Sequence, residues 1–278
     1  MESEQIAELG RVARVCVAIT YHHVPKRLPY LRAVLRGLSL FPVATMRVVL
    51  FTNLQAEEEI ASLKSFCDQI MTRVEIRPTQ VEDPFMLTWA HKPLIGEAFD
   101  TADATHFVYL EDDMHFTYEN FLYFIQWREP LRQLGLIPSF LRTEVSRVFR
   151  RIVTSDNQHP IPLAVAPTVM AAGSRFAQCP SSYCAMFVLD RELAAEYRHS
   201  PAFSEKSSRS VCTYEVRERS AMGLSFINVP AGFIARYVVR LAGVRPDPCA
   251  LMHHVPNNYA RSRLTAFGKV PISRLFVA

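Results

Sequence analysis

Three carboxylates stand side by side at Glu111, Asp112 and Asp113, directly after the apolar run Thr105–Leu110. Side chains alternate along an extended chain, so Glu111 and Asp113 are expected to point the same way. Two carboxylates on one side repel each other, and a divalent cation relieves that repulsion because hard cations prefer oxygen ligands. Such a cation can bridge a diphosphate and neutralise it as it leaves. The alternative is an ordinary turn or helix cap, since Asp is common at such positions.

Polar residues also follow the earlier apolar runs. Thr20 and Tyr21 end the run that begins at Arg14, and Asn53 follows the run Met46–Thr52. Tyr21 has a ring that could stack on a nucleotide base, and Thr20 or Asn53 could bond the edge of that base. Each of these residues could equally well cap a strand end. Lys92 could reach a phosphate as a point charge, and its alternative is an exposed helical lysine.

The elements that must position these residues alternate between strands and helices. Buried strands are predicted at Arg14–Thr20, Met46–Thr52 and Thr105–Leu110, and a short strand is predicted at Val74–Arg77. Helices are predicted at Arg27–Leu40, Gln55–Ile70, within Thr88–Asp100 and at Tyr118–Leu134. This alternation predicts an α/β fold with a mostly parallel central sheet flanked by helices. Open sheets of this kind bind ligands at the carboxyl ends of their strands, which is where the polar residues lie.

The second half of the chain is less regular. Gly135–Ser182 is rich in proline, and the next strand is predicted at Tyr183–Leu189 with a helix ending at Tyr197. Further elements are predicted at Thr213–Met222 (helix), Ser225–Val229 (strand) and Ile234–Leu241 (strand). Because this half shows no separable core, we expect one domain over residues 1–278, with a nucleotide-binding half (1–135) and an acceptor-binding half (136–278).

The composition of the chain argues against several classes of protein. The 278 residues carry a net charge of +4, and the basic residues do not cluster with aromatic ones, which argues against nucleic-acid binding. No apolar run reaches the 18 residues typical of a membrane span. The acidic N-terminus resembles no signal peptide, and the six cysteines include no CxxC pair that would indicate a zinc site or a disulfide framework. We therefore expect a cytoplasmic protein.

The segment FVYLEDD, ending at Asp113, resembles the DxD motif of GT-A-fold glycosyltransferases, and the resemblance extends over Arg14–Asp113. It implies a Rossmann-like GT-A fold with a smaller mixed acceptor-side lobe. It also implies that Asp113 binds Mn²⁺ or Mg²⁺ on the diphosphate of a nucleotide sugar. Glu111 is expected near the ribose or the water shell of the metal, and Asp112 with the nucleotide. The chain departs from the motif by having Glu at its first position.

The same resemblance implies a general base in a late helix. Inverting GT-A enzymes often carry an acidic residue at the start of such a helix, where it deprotonates the acceptor hydroxyl. The stretch RERSAMG, Arg217–Gly223, is similar to that region, with its second acid replaced by Arg219. Glu218 is the first candidate and Glu215 the second. The alternative is a solvated helix laced with Glu and Arg, so inversion or retention stays open.

Two further sets of residues follow from the resemblance. One of His253 and His254, with His253 slightly preferred, is expected to complete the metal shell as a C-terminal histidine ligand, and His22–His23 is a rival. A donor-sugar loop is expected near Pro180–Tyr183, with Ser181 or Ser182 beside the sugar. All of these histidines and serines have ordinary loop positions as their alternative.

Together these features predict a metal-dependent, hexosyltransferase-like glycosyltransferase. It would use a nucleotide-diphosphate sugar, with a UDP-sugar favoured, and a glycan or glycolipid acceptor of polysaccharide biosynthesis. A nucleotidyltransferase is an alternative, but the stretch Thr20–Arg27 lacks the glycines of its usual loop. A non-catalytic glycan-binding module is another. The basic and apolar C-terminal tail (261–276) is expected either to pack on the domain or to contact the inner face of a membrane.

Overall fold

The computed structural model describes residues 3–101, 103–146, 150–181 and 183–277. Its helices are α1 (Ser3–Arg11), α2 (Leu28–Ser39), α3 (Glu57–Asp68), α4 (Lys92–Asp100), α5 (Tyr118–Arg132), α6 (Arg191–His199), α7 (Glu205–Ser208), α8 (Val216–Ser220) and α9 (Asn258–Arg261). Short 3-10 helices lie at Pro25–Arg27, Pro84–Trp89, Pro201–Phe203, Pro248–Ala250 and Ile272–Arg274.

The strands of the first half are β1 (Arg14–Tyr21), β2 (Thr45–Thr52), β3 (Val74–Pro78), β4 (His106–Glu111) and β5 (Met114–His115). Those of the second half are β6 (Ile137–Pro138), β7 (Leu141–Ser146), β8 (Arg151–Thr154), β9 (Ile161–Pro162), β10 (Thr168–Ala171), β11 (Ser174–Ala177), β12 (Met186–Asp190), β13 (Tyr237–Ala242), β14 (Arg245–Pro246), β15 (Leu251–His254) and β16 (Phe276–Val277).

The chain divides into two compact units that are each discontinuous in sequence. Unit A comprises Glu2–Met114 and Ala185–Leu224, and unit B comprises His115–Cys184 and Ser225–Ala278. The acidic turn after β4 and the helix α8 both belong to unit A, whereas His253 and His254 belong to unit B. The nucleotide-binding and acceptor-binding halves expected at 1–135 and 136–278 stay a prediction.

The sheet of unit A has the strand order β12-β4-β1-β2-β3. β1 pairs in parallel with β2 and β4, β2 pairs in parallel with β3, and β12 pairs antiparallel with β4. The predicted strand Tyr183–Leu189 is therefore an antiparallel edge strand that begins at Met186, and the sheet is mixed. The four earlier strands lie close to their predicted positions. β1, β2 and β4 are apolar runs buried inside the sheet, whereas β3 is its partly exposed edge strand.

Two predictions for the later part of unit A and the start of unit B are wrong in extent. The helix predicted at Thr213–Met222 is only the short α8, because Glu215 is an extended N-cap residue and Ala221 is already the C-cap. The predicted stop at Gly223 has a φ of +53°. The strand predicted at Ser225–Val229 is absent: these five residues form turns, with Asn228 in the left-handed region at a φ of +50°. Apolar residues alone did not distinguish a buried turn from a strand.

Unit B contains several smaller sheets. One has the order β10-β11-β13-β14, with β6 also pairing with β13. In another, β7 lies between β15, which is parallel to it, and β8, which is antiparallel. β16 pairs with β9, so the end of the C-terminal tail packs on unit B: Leu275 and Phe276 are buried, whereas Leu264 is 99% exposed. Membrane contact by the tail stays a prediction.

Two exclusions made from the sequence can be compared with the structure. None of the helices in the described ranges has the length and apolar character needed to cross a bilayer. No disulfide joins any of the six cysteines, all of which lie within those ranges. A disulfide framework therefore does not contribute to this fold.

Candidate functional site

Polar residues meet at the carboxyl edge of the parallel strands of unit A. The register pairs Thr20 at the end of β1 with Glu111 at the end of β4. The backbone N–H of Asp112 continues this pairing by donating to the Thr20 carbonyl at 3.2 Å. On the other side of β1, the Asn53 side-chain oxygen accepts from the backbone N–H of His23 at 2.7 Å. The prediction that these strands are parallel, with their carboxyl ends at one edge, is confirmed.

Arg27 links this edge to the acidic turn. The 3-10 helix Pro25–Arg27 follows β1 and begins with a proline, which favours a tight helical start. The guanidinium of Arg27 donates from Nε to Asp112 Oδ2 at 2.9 Å and from Nη2 to Asp112 Oδ1 at 2.6 Å. Nη2 also donates to Asp113 Oδ2 at 2.8 Å. A bidentate arginine–carboxylate pair of this kind is both strong and directional.

The carboxylates are buried and the arginine is partly exposed. The side chains of Asp112 and Asp113 are 4% and 7% exposed, against 29% for Arg27. Burial raises the pKa of Asp112 to about 7, opposed by its hydrogen bonds to Arg27 and reinforced by the charge of Asp113. Burial alone would lower the pKa of Arg27, but the two carboxylates raise it above its usual value. Arg27 therefore stays charged.

The predicted cation site does not fit this arrangement. Three oxygens of Asp112 and Asp113 face the guanidinium of Arg27, so a divalent cation could reach them only if Arg27 moved away. Across the described ranges, no three His, Cys, Asp or Glu side chains are grouped closely enough to hold a metal ion. Binding of Mn²⁺ or Mg²⁺ by Asp113 stays a prediction from the sequence.

Two residues predicted to contact a nucleotide are less accessible than the sequence suggested. Tyr21 is fully buried, and its hydroxyl lies 3.1 Å from His23 Nδ1. Stacking on a base would require its ring to leave the core. Thr20 is 6% exposed. Asn53, Glu111 and His23 are only partly buried, so these three present more surface at the edge.

Lys92 lies in an aromatic enclosure. It is 6% exposed, and its Nζ lies 4.3 to 6.0 Å from the ring centroids of Tyr197, Trp89, Phe187 and Phe203. Nζ donates to the Ser220 carbonyl at 3.1 Å and to the Tyr197 hydroxyl. Burial holds the pKa of Lys92 well below its usual range. A phosphate contact, as predicted for Lys92, would require this enclosure to open.

Of the two candidate bases, Glu215 precedes α8 and Glu218 lies within it. Glu215 is the N-cap residue of the helix and is exposed, and the Glu218 carboxylate accepts from the backbone N–H of Glu215 at 3.3 Å. A cavity of about 440 Å³ lies beside the helix, lined by Asp83, Met86, Glu205, Arg209, Glu215, Val216 and Arg219. The candidate base Glu215 therefore borders a space large enough for a small ligand.

His253 and His254 occupy different environments in unit B. His254 is 4% exposed, and its Nδ1 lies 2.5 Å from Oε1 of the fully buried Glu144. Glu144 also accepts from the backbone N–H of Ala260 at 2.5 Å. His253 is partly exposed, with Nε2 3.2 Å from Asn257 Oδ1. Of the predicted sugar-loop serines, Ser181 is partly buried and Ser182 lies outside the described residues.

Two contacts were not predicted from the sequence. Arg27 was assigned to the start of a helix and not to the acidic turn, and the backbone N–H of His23 was not expected to donate to Asn53. A usable signal was present: the basic residues Lys26 and Arg27 follow a strand whose carboxyl end shares an edge with three acids. The pairing with Asp112 could be suspected from that shared edge. The bidentate geometry could not, because it depends on the rotation of the Pro25–Arg27 turn.

Comparisons with known proteins find only distant similarity. No family model matches the chain, and no curated protein matches it. A structure of GalNAc-T7 with UDP, GalNAc and Mn²⁺ is similar at a TM-score of 0.48 and 11% identity, covering 87% of this chain and 44% of that one. The glycosyltransferase GlyE of Streptococcus pneumoniae TIGR4 is similar at a TM-score of 0.37 and 10% identity, covering 81% and 44%. The chain spans less than half the length of each.

Proposed function

We propose that the chain is a glycosyltransferase that moves a sugar from a nucleoside-diphosphate donor to a glycan or glycolipid acceptor. The observation that carries the proposal is the polar cluster of Arg27, Asp112 and Asp113 beside the Asn53–His23 contact. It lies at the carboxyl edge of parallel strands, where open α/β sheets bind ligands. The similarity of the acidic turn to the DxD motif adds support from the sequence.

Arg27 supplies donors for the phosphates. A guanidinium has five N–H groups, and the Nε and Nη2 atoms of Arg27 are used by Asp112 and Asp113. The two N–H groups on Nη1 have no acceptor among residues 3–101, 103–146, 150–181 and 183–277. Each can donate one hydrogen bond to a phosphate oxygen. Asn53, which is partly buried at the neighbouring strand end, is the group proposed to bind the nucleoside; Thr20 is too buried for that contact.

Glu218 is the proposed general base, with Glu215 second. The ionised carboxylate takes the proton of an acceptor hydroxyl. The acceptor oxygen forms a bond to the anomeric carbon while the bond from that carbon to the phosphate oxygen breaks. The nucleoside diphosphate leaves with the electron pair, and a single displacement of this kind inverts the anomeric centre. Because the acidic turn as arranged does not fit a cation, no step is assigned to one.

The test is release of nucleoside diphosphate from UDP-, GDP- and CDP-sugars, with and without oligosaccharide acceptors. We expect release from one donor class and a loss of about 100-fold or more in Glu218→Gln, as for removal of a general base. Glu58→Gln makes the same change at an exposed glutamate on α3 and is the matched control. No turnover of any donor would contradict the proposal. Formation of pyrophosphate from a nucleoside triphosphate and a sugar phosphate would replace it with a nucleotidyltransferase.

A further inference from the structure

We propose that Trp89 and Lys92 are positioning residues that clamp α8 by its backbone and thereby set the place of the proposed base. The inference rests on the proposed function for its catalytic meaning. Trp89 lies in the segment immediately before α4, and Lys92 lies at the start of α4. Both side chains reach the same five-residue helix. It reassigns Lys92 from a phosphate contact to an internal anchor.

The clamp holds the two ends of α8. Trp89 Nε1 donates to the carbonyl of Val216, the first residue of the helix, at 3.0 Å. Lys92 Nζ donates to the carbonyl of Ser220, its last residue, at 3.1 Å. A helix of five residues is too short to be stable through its own hydrogen bonds. Its position therefore depends on such tertiary contacts.

Arg219 supplies further contacts that hold α8. Its Nε donates to Ser208 Oγ at 3.0 Å, and its Nη1 and Nη2 donate to the Tyr214 carbonyl at 2.9 Å and to Glu205 at 3.2 Å. The helix is thus held both by Trp89 and Lys92 and by residues of α7, and Glu218 is one residue away from Arg219. A carboxylate carried on a helix held in this way has little freedom to change its distance from a bound substrate.

The chemistry of Lys92 favours a directional role over a purely stabilising one. Burying an ammonium group is costly, and replacing buried charges by apolar side chains of similar volume is often neutral or stabilising. The surrounding rings offset part of this cost through cation–π contacts. A methionine would fill the same space without the cost. What the lysine adds is N–H groups aimed at Ser220 and Tyr197.

The same aromatic cluster reaches the strand that ends in the acidic turn. Phe187 of β12, one of the rings around Lys92, stacks on Tyr109 of β4 at 5.3 Å. His91, next to Lys92, lies 4.1 Å from the Tyr109 ring. Tyr109 precedes Glu111 by two residues on β4. Through these ring contacts, the clamp connects α8 to the strand that carries the proposed donor site.

The first test measures amide exchange and needs no substrate. The variants are Lys92→Met, which keeps the volume, and Trp89→Phe, which removes the indole N–H; Lys64→Met, on the exposed Lys64–Asp68 pair, is the control. We expect the amides of Arg219 and Ala221, which bond within the helix, to exchange about 10-fold faster in both clamp variants. The control should leave them unchanged. Unchanged exchange in both clamp variants would overturn the inference.

The second test separates binding from catalysis. We expect kcat to fall about 10-fold in each clamp variant while the donor KM stays within about twofold, because the base and not the donor site is displaced. Adding Lys92→Met to Glu218→Gln should cost little more, since the same step is already lost. An unchanged kcat with faster exchange would overturn the positioning role. Wild-type protein with normal exchange and no turnover would instead contradict the proposed function and the catalytic meaning of the clamp.

Discussion

The side-chain oxygen of Asn53 accepts a hydrogen bond from the backbone N–H of His23 at 2.7 Å, so the end of β2 holds the segment that follows β1. That segment leads directly into the Pro25–Arg27 turn. The place of the Arg27 guanidinium at the acidic turn is thus supported from two sides, by Asn53 through the backbone and by Asp112 through the side chain.

The Asn53 contact predicts the effect of removing its acceptor. Asn53→Ala should lower the free energy of unfolding by about 1 kcal/mol and weaken binding of a nucleoside diphosphate, because the His23 N–H loses its partner. Asn53→Asp keeps an acceptor oxygen and should retain more of the stability. Chemical denaturation and calorimetric titration measure the two effects. Equal losses in both variants would show that the hydrogen bond is not what matters.

Arg27 is predicted to be essential to the charge balance of the acidic turn. Arg27→Gln leaves two buried carboxylates without their cation and should cost about 3 kcal/mol of stability. Restoring neutrality with Asp112→Asn and Asp113→Asn in the same chain should recover much of that loss. Arg36→Gln, an exposed arginine on α2, should change stability by less than about 0.5 kcal/mol. A triple variant no more stable than Arg27→Gln would contradict this account.

Acid sensitivity is predicted from His106 at the start of β4. Burial lowers its pKa to about 4, against about 6.5 in an unfolded chain. Between these values the unfolded state binds more protons, so folding stability falls as the pH decreases from 6.5 to 4. His106→Gln should reduce this pH dependence of the free energy of unfolding. His199→Gln, at an exposed histidine, is the control. Urea denaturation at several pH values measures it, and an unchanged slope in His106→Gln would refute the assignment.

The buried pair of Glu144 and His254 predicts a coupled effect in unit B. Glu144→Gln places an amide where the carboxylate accepts from His254 and from the Ala260 N–H, and should cost about 2 kcal/mol. His254→Leu should cost a similar amount, because a fully buried carboxylate then loses a partner. The double variant Glu144→Leu with His254→Leu should cost less than the sum of the single changes. Strict additivity would show that the pair is not coupled.

The parallel pairing of strands β1 to β4 and the edge that gathers their ends could be predicted from the sequence, whereas their spatial order, β4-β1-β2-β3, could not. Apolar runs such as Val17 to Ile19 are buried on both faces, and in an α/β alternation such runs pair in parallel. The antiparallel direction of β12 could not be predicted, because a single apolar run carries no information on its direction. The predictions for the α8 region and for Ser225–Val229 were wrong for a related reason. The conformation of both segments is determined by tertiary contacts, which a short apolar pattern does not reveal.

The candidate site was predicted in part. The place of Thr20, Asn53 and the acidic turn at one sheet edge followed from the parallel topology, but which strand ends are neighbours did not. The aromatic enclosure of Lys92 could not be predicted from the sequence. Some of the rings around Lys92 lie near it in the sequence, but others belong to segments more than 90 residues away. The pairing of Arg27 with Asp112 likewise joins residues 85 positions apart. Sequence spacing indicates which residues share an edge, but not which charges meet there.

Hydrogen–deuterium exchange with bound nucleotide tests the central claim most directly. UDP, GDP and CDP would each be added at saturating concentration, once in EDTA and once with Mn²⁺. We predict that one of them slows exchange in segments 20–27, 52–54 and 111–114, the strand ends and the Arg27 turn of unit A. Slowing that appears only with Mn²⁺ would place a cation at the acidic turn with Arg27 displaced. Slowing confined to other segments, or none with any nucleotide, would contradict a donor site at this edge.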